Sequence, residues 1–297
     1  MPRGACRSAP RIPGPSRGAD LRRELPALRL PHSVGWYSFF AVTGSTALRC
    51  ALVSESRHHW KTRRQAIDTQ PLLGLLRSFC FARGEQPALG SAIRTTESGY
   101  LQMSPEARCI PFTAKQVFDT TQSRFHRQAR LDPGKLTSLT ISNAYEKARG
   151  TVAIKLASLI PARRFAGPEV DRAELQHYLA SLVFFPPMLL NHVALEFKVV
   201  APLVLRFWDR HDRAATVDVE LSDSGSPLAC RAERPRVAGK RFILTRWSAT
   251  ASEFHILEGL RVPFHLQAAW HLAHTTFTYY QSRITSFEVL REYRRAA

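Results

Sequence analysis

The run Asp171-Arg172-Ala173-Glu174-Leu175-Gln176-His177-Tyr178-Leu179-Ala180-Ser181-Leu182-Val183-Phe184-Phe185-Pro186-Pro187 decides how the rest of the chain must be arranged. Leu175, Tyr178, Leu179, Leu182 and Val183 fall at i, i+3, i+4, i+7 and i+8, the spacing of one apolar stripe on an amphipathic helix. Asp171 with Glu174 three residues on has the form of a capping box, in which each carboxylate accepts from free N–H groups of the first turn. Pro186 and Pro187 cannot continue a helix, so the chain is expected to turn there. The predicted helix covers 171–184, and its stripe needs a cover.

The flanking sequence supplies one. In 151–156 Val152, Ile154 and Leu156 alternate with Thr151, Ala153 and Lys155, and in 215–221 Ala215, Val217, Val219 and Leu221 alternate with Thr216, Asp218 and Glu220. Val262, Phe264, Leu266, Ala268 and Trp270 repeat the pattern. Period two marks strands with one buried and one wetter face, which favours antiparallel pairing. Further strands are predicted at 100–103, 124–131, 136–145, 192–200, 227–233, 241–246, 253–258 and 277–287, and a second, shorter helix at 113–121. Turn signals stand at Asp132-Pro133-Gly134, Asp223-Ser224-Gly225-Ser226 and Glu258-Gly259. The expected fold is α+β: a mostly antiparallel, curved, half-barrel-like sheet of roughly ten strands wrapped around the central helix.

Charge is unevenly spread. Of 42 basic residues only seven are Lys, and twelve basic residues against three acidic ones precede residue 67, so half of the net +18 lies in under a quarter of the chain. Residues 1–90 read as a basic, disordered leader and linker, and 91–297 as a single β-rich domain. Segment 33–48 holds sixteen residues without Lys, Arg, Asp or Glu, short of the roughly 20 that a membrane span needs. The expected location is cytoplasmic, with membrane association through 33–48 as the alternative. A basic run at 57–64 reads as a solvated linker and 71–82 as a short apolar segment. Arg-rich surfaces attract nucleic acid, but a basic leader in an Arg-biased chain explains the charge as well. Cys6, Cys50, Cys80, Cys109 and Cys230 form no C-x-x-C pair, which argues against a zinc site or a disulfide framework.

From Pro111 to Phe287 an ordered series of short motifs resembles an uncharacterised bacterial family, a domain of unknown function of the 6544 type. It comprises Pro111-Phe112-Thr113-Ala114-Lys115-Gln116, Phe125, Ala129-Arg130, Tyr145, Gly150, Ile154-Lys155-Leu156, Glu174-Leu175, Tyr178-Leu179-Ala180, Phe185-Pro186, Trp247, Gly259, Pro263, Trp270, Phe277 and Tyr279. The resemblance implies that His177 stands where the family carries Arg and Ser181 where it carries Glu. Arg127, Phe184 and Phe197 stand at its usual Trp positions. No activity is implied. By loose architectural analogy, a curved sheet around a helix resembles the lipoprotein-carrier type of half-barrel, whose hollow holds apolar groups.

Glu174, His177 and Ser181 share one helical stripe, but no strained G-x-S-x-G turn accompanies Ser181, so the stripe reads as a pocket rim and not as a hydrolase triad. His271 and His274 lack an H-E-x-x-H context, no spacing selects a catalytic carboxylate pair, and no G-x-G or Walker loop occurs; neither metal nor cofactor is expected. Aromatic residues crowd the chain from the central helix onward. The basic run Arg231, Arg234, Arg236, Lys240 and Arg241 fits either an anionic head group or solvated strand ends. The expected function is a non-enzymatic binding protein for an apolar or amphiphilic small ligand or lipid between sheet and helix. Its binding residues would be Glu174, His177, Tyr178, Ser181, Trp247, Trp270 and Tyr279. Alternatives are a cofactor-free enzyme using Glu174, His177 or Lys155 in the same cavity, or nucleic-acid association through the basic N-terminal region.

Overall fold

The computed structural model describes residues 68–81, 92–132, 138–157, 159–238, 241–257 and 259–291. The expected leader segments 33–48 and 57–64, and the turn residues Pro133, Gly134 and Glu258, lie outside the described residues. A helix α1 (Gln70–Cys80) precedes a six-strand meander: β1 (Ala92–Gln102), β2 (Cys109–Asp119), β3 (Phe125–Leu131), β4 (Leu139–Glu146), β5 (Arg149–Leu156) and β6 (Ile160–Phe165). Helices α2 (Pro168–Phe184) and α3 (Pro186–Asn191) follow. A second meander runs through β7 (Leu195–Ala201), β8 (Val204–Asp209), β9 (Asp212–Leu221), β10 (Pro227–Ala238), β11 (Arg241–Leu257), β12 (Leu260–His271) and β13 (Thr276–Leu290).

The two meanders join where β1 pairs with β13, giving one antiparallel sheet of 13 strands whose edges are β6 and β7. That order forces curvature. Thirteen strands laid flat would separate the edges by roughly 58 Å, yet the chain passes from β6 to β7 through α2 and α3 alone. Seventeen helical residues rise only about 26 Å and six more about 9 Å. The sheet therefore bends into an open trough, and α2 lies across its hollow.

The architecture is thus a curved, mostly β, antiparallel sheet with few helices, with more strands than the ten expected. The segment predicted as a helix at 113–121 is strand β2: Phe112, Ala114, Gln116 and Phe118 are buried while Pro111, Thr113 and Lys115 are exposed, a period of two and not 3.6. Strands β6 and β8 were not expected. The first is an edge strand with five of six residues exposed and so carries no hydrophobic alternation; the second buries Leu205, Phe207 and Asp209 in period two. Segment 241–246 and the described part of segment 253–258, to Leu257, belong to one long β11, whose pairing with β12 skips Glu253 at φ 56°, a bulge that the sequence reads as a break. Residues 71–80 of the apolar segment lie in α1, which inserts Leu72, Leu76, Phe79 and Cys80 into the core, so this part of the stretch assigned to the leader and linker packs against the sheet.

Helix α2 also departs from its reading. It begins at Pro168, three residues early, after Gly167 at φ 118°, a conformation open to glycine and strained for other residues. No side chain caps it. Asp171 instead accepts from the Gly150 N–H of β5 (2.6 Å), and Glu174 accepts from the Asn143 amide of β4 (3.1 Å), so both carboxylates anchor the helix to the sheet. Gly150 permits this docking, because a Cβ there would stand 2.5 Å from the Val170 carbonyl oxygen. Nor is α2 apolar on one side only. Leu175, Tyr178, Leu179, Leu182 and Val183 enter the main core as expected, but Glu174, Gln176, Ala180 and Phe184 are buried too, because the trough wraps round the helix. The chain breaks after Phe184 as expected, yet Pro186 opens α3, since proline suits the first helical turn.

Candidate functional site

Between α2 and the concave face of the sheet lies a cavity of about 250 Å³. The face of α2 opposite Leu175 and Leu179 looks into it with Glu174, His177, Ser181 and Phe184. The sheet supplies Phe112 and Gln116 from β2, Arg127 and Ala129 from β3, Trp247 and Ala249 from β11, and Tyr279 and Tyr280 from β13. A second lobe of about 280 Å³ shares Ile141, Glu174, Arg234 and Tyr279 with the first and is walled mainly by apolar groups, among them Met103, Leu139, Val152, Ile154, Phe165 and Trp270.

Six of the seven expected binding residues therefore border these lobes: Glu174, His177, Ser181, Trp247 and Tyr279 the first, and Trp270 the second, where Glu174 and Tyr279 recur. Tyr178 does not. It is fully buried on the core side, its ring against Phe125 and its hydroxyl donating to the Asp119 carbonyl at 2.8 Å. Tyr178→Phe would orphan that buried acceptor, and urea unfolding should show a loss of about 1–3 kcal/mol. Lys155 of β5 is exposed and borders neither lobe.

Sequence reasoning passed over the polar floor. Glu97 of β1 is completely buried and accepts from the Arg127 guanidinium (3.0 and 3.2 Å), from the Ser282 hydroxyl (2.9 Å) and from the Tyr280 hydroxyl. Burial works against the Arg127 charge, but Tyr280 and Glu97 outweigh it and hold its pKa above the ordinary value. The Tyr280 hydroxyl is pushed well up by burial and by the Glu97 charge. Arg127 further lies over the Phe112 and Tyr280 rings at 5.5 and 5.7 Å. The strand expected at 100–103 covers only the end of β1 and stops short of Glu97.

On the helix, Glu174 Oε2 stands 3.5 Å from His177 Nδ1, while the Ser181 hydroxyl donates back to the His177 carbonyl at 2.9 Å, the local bond that helical Ser often makes. Trp247 donates to the Tyr279 hydroxyl at 3.1 Å, and Tyr279 stacks on Trp270 at 5.7 Å. His271 is no part of a helical pair: it ends β12 and contacts Ser248 (2.8 Å) and Thr276 (3.2 Å). The free thiols of Cys80 and Cys230 are buried, which raises both, that of Cys230 to about 12, so they stay protonated.

A family of unknown function (DUF6544) matches residues 77–282, from the last turn of α1 into β13, and so spans both lobes. The chain belongs to this family. The match extends the resemblance seen from Pro111 back into α1. No curated protein matches the chain. Among solved structures, a LolA superfamily protein from Nitrosomonas europaea is similar at TM-score 0.41 and 10% identity, over 77% of this chain and 96% of the other. A DUF1329 family protein from Desulfovibrio piger is similar at TM-score 0.43 and 8% identity, over 74% and 92%.

This DUF6544 chain holds a second polar cluster, outside the cavity. Ser123, His192 and Asp209 are distant in sequence and meet where the β2–β3 loop reaches α3 and β8. The set has the residue types of a hydrolase triad but not its wiring. His192 Nδ1 accepts from the Ala194 N–H (3.2 Å), which leaves the ring proton on Nε2, 3.4 Å from the Ser123 hydroxyl, and that hydroxyl donates to Asp209. The imidazole turns an N–H and no lone pair to the serine, so the cluster ties loop to strand. Burial lowers the pKa of both His177 and His192. With the folded pKa below the ordinary value near 6.5, the unfolded chain takes up protons first as pH falls. Their contribution is complete above about pH 6.5 and lost below it. Urea titrations at pH 7.5 and 5 should show that loss, and His177→Gln/His192→Gln should show less of it.

Proposed function

We propose that this chain is a binding protein for an apolar or amphiphilic small molecule, held between α2 and the concave face of the sheet. The observation that carries this reading is the pair of contiguous lobes, of about 250 and 280 Å³, beside His177 and Trp247. Together they fall within the ~300–1,000 Å³ range of small-molecule pockets, and native cores seldom keep voids larger than a water molecule. The walls suit such a ligand: aliphatic and aromatic groups dominate, while the Glu97–Arg127 and Glu174–Asn143 pairs leave a few fixed polar groups to orient it. Solvent extraction of the purified protein followed by mass spectrometry should release a stoichiometric apolar compound, or the emptied protein should bind the neutral probe N-phenyl-1-naphthylamine. Neither result being obtained would contradict the reading.

One observation favours a second reading, a cofactor-free enzyme. Glu174 Oε2 is buried, has no hydrogen-bond partner among the described residues and stands 3.5 Å from His177 Nδ1, the kind of pair that general acid–base chemistry uses. Were a turned-over ligand found, Glu174→Gln should abolish turnover and leave probe binding intact; unchanged turnover would remove this reading.

A further inference from the structure

The cavity carries a cation without a counter-charge among the described residues. Arg234 of β10 stands where the two lobes meet and is 9% exposed. Strand alternation turns Arg231 outward to Glu220, whereas Arg234 points into the trough, so the basic run of the sequence is split between two faces. The guanidinium lies on the Trp247 ring at 4.7 Å and donates once, from Nη2 to the Ala173 carbonyl at 2.9 Å. Its Nε has no partner, and no carboxylate approaches it within 4 Å among the described residues. Arg127, also deep in the trough, is held by Glu97. Glu174, the acid that borders both lobes with Arg234, is turned to the Asn143 amide and His177. Glu174 is the one carboxylate among the described residues that line the second lobe. A buried guanidinium is costly unless it is paired and hydrogen-bonded, and its planar fork matches a carboxylate.

We propose that the ligand is a single-chain anionic amphiphile of the fatty-acid class, whose carboxylate pairs with Arg234 where the lobes meet and whose chain takes the space between α2 and the sheet that a neutral probe would fill. This rests on the binding reading above and narrows it to a ligand class. The emptied protein is loaded with N-phenyl-1-naphthylamine, which is neutral, and displaced at pH 7.5 by decanoate, decanol and decylamine, three chains that differ only in the head. Decanoate should displace the probe at a concentration about tenfold or more below that of decanol, as a charge-assisted bond to a buried cation requires. Decylamine should be the weakest. Arg234→Gln should keep probe binding and lose the preference for the acid, and Arg234→Lys should retain part of it. Equal displacement by acid and alcohol, preference for the amine, or an acid preference that survives Arg234→Gln would each overturn the proposal while leaving the binding reading intact. Failure of the probe itself to bind would overturn both. Should Arg234→Gln not fold, the wild-type ratio of acid to alcohol still decides.

Discussion

Replacing Arg127 by Met is expected to lower the unfolding free energy by about 3–5 kcal/mol, the cost of breaking a buried pair from one side. Glu97 lies beneath the cavity floor with no access to solvent, and Arg127 is the cation bound to it. Met matches the apolar stem of the arginine and keeps contact with Phe112 and Tyr280, so the loss isolates the charge. Ser282 and Tyr280 can still donate to the carboxylate, but two neutral hydroxyls replace a guanidinium poorly. Exchanging both partners, Glu97→Gln with Arg127→Met, should recover much of the loss, since removing a buried pair together is often nearly neutral. Chemical denaturation of the three proteins tests this; a single variant as stable as the parent would mean that the pair is not dry. Arg127→Trp should destabilise this chain in the same way unless Glu97 changes with it.

Filling the first lobe should abolish ligand binding without unfolding the protein. Ala129 of β3 is buried on the cavity floor, flanked in the sheet by Ala114 and Ile141. In a packed core a tryptophan there would cost about 1–3 kcal/mol in strain. With some 250 Å³ open above it, the indole has somewhere to go, and the measured loss should lie at or below that range. N-phenyl-1-naphthylamine affinity should then drop beyond detection in Ala129→Trp. A variant that keeps full affinity would place the probe elsewhere, and one that fails to fold would argue that the floor is packed.

Much of this fold was legible because its signals are local. The alternation at 215–221 names the buried residues of β9 one by one, and Leu175, Tyr178, Leu179, Leu182 and Val183 all face the core as the helical spacing requires. What escaped depends on partners far away in sequence. Asp171 and Glu174 have the spacing of a cap, yet Gly150 and Asn143 claim them once the helix docks, because a bond to a buried sheet group outweighs one to an exposed first turn. Strand β2 was taken for a helix although its own alternation is clean; without a view of β1 and β3, Thr113 to Thr121 reads ambiguously. The candidate site divides in the same way. Its helical half, Glu174, His177 and Ser181, could be read from one stripe, as could the aromatic contributions of Trp247, Trp270 and Tyr279. The polar floor of Glu97, Arg127 and Tyr280 joins three strands and has no signature in any one of them. Tyr178, read both on the apolar stripe and as a binding residue, keeps only the first place: Asp119 and Phe125, which reach it only through the fold, hold it in the core.

A crystal structure of the protein grown with N-phenyl-1-naphthylamine tests the account most directly. The probe should lie between α2 and the concave face of the sheet, in contact with Trp247 and within reach of His177. A probe bound only on the outer surface, with ordered side chains closing the space beneath α2, would contradict it.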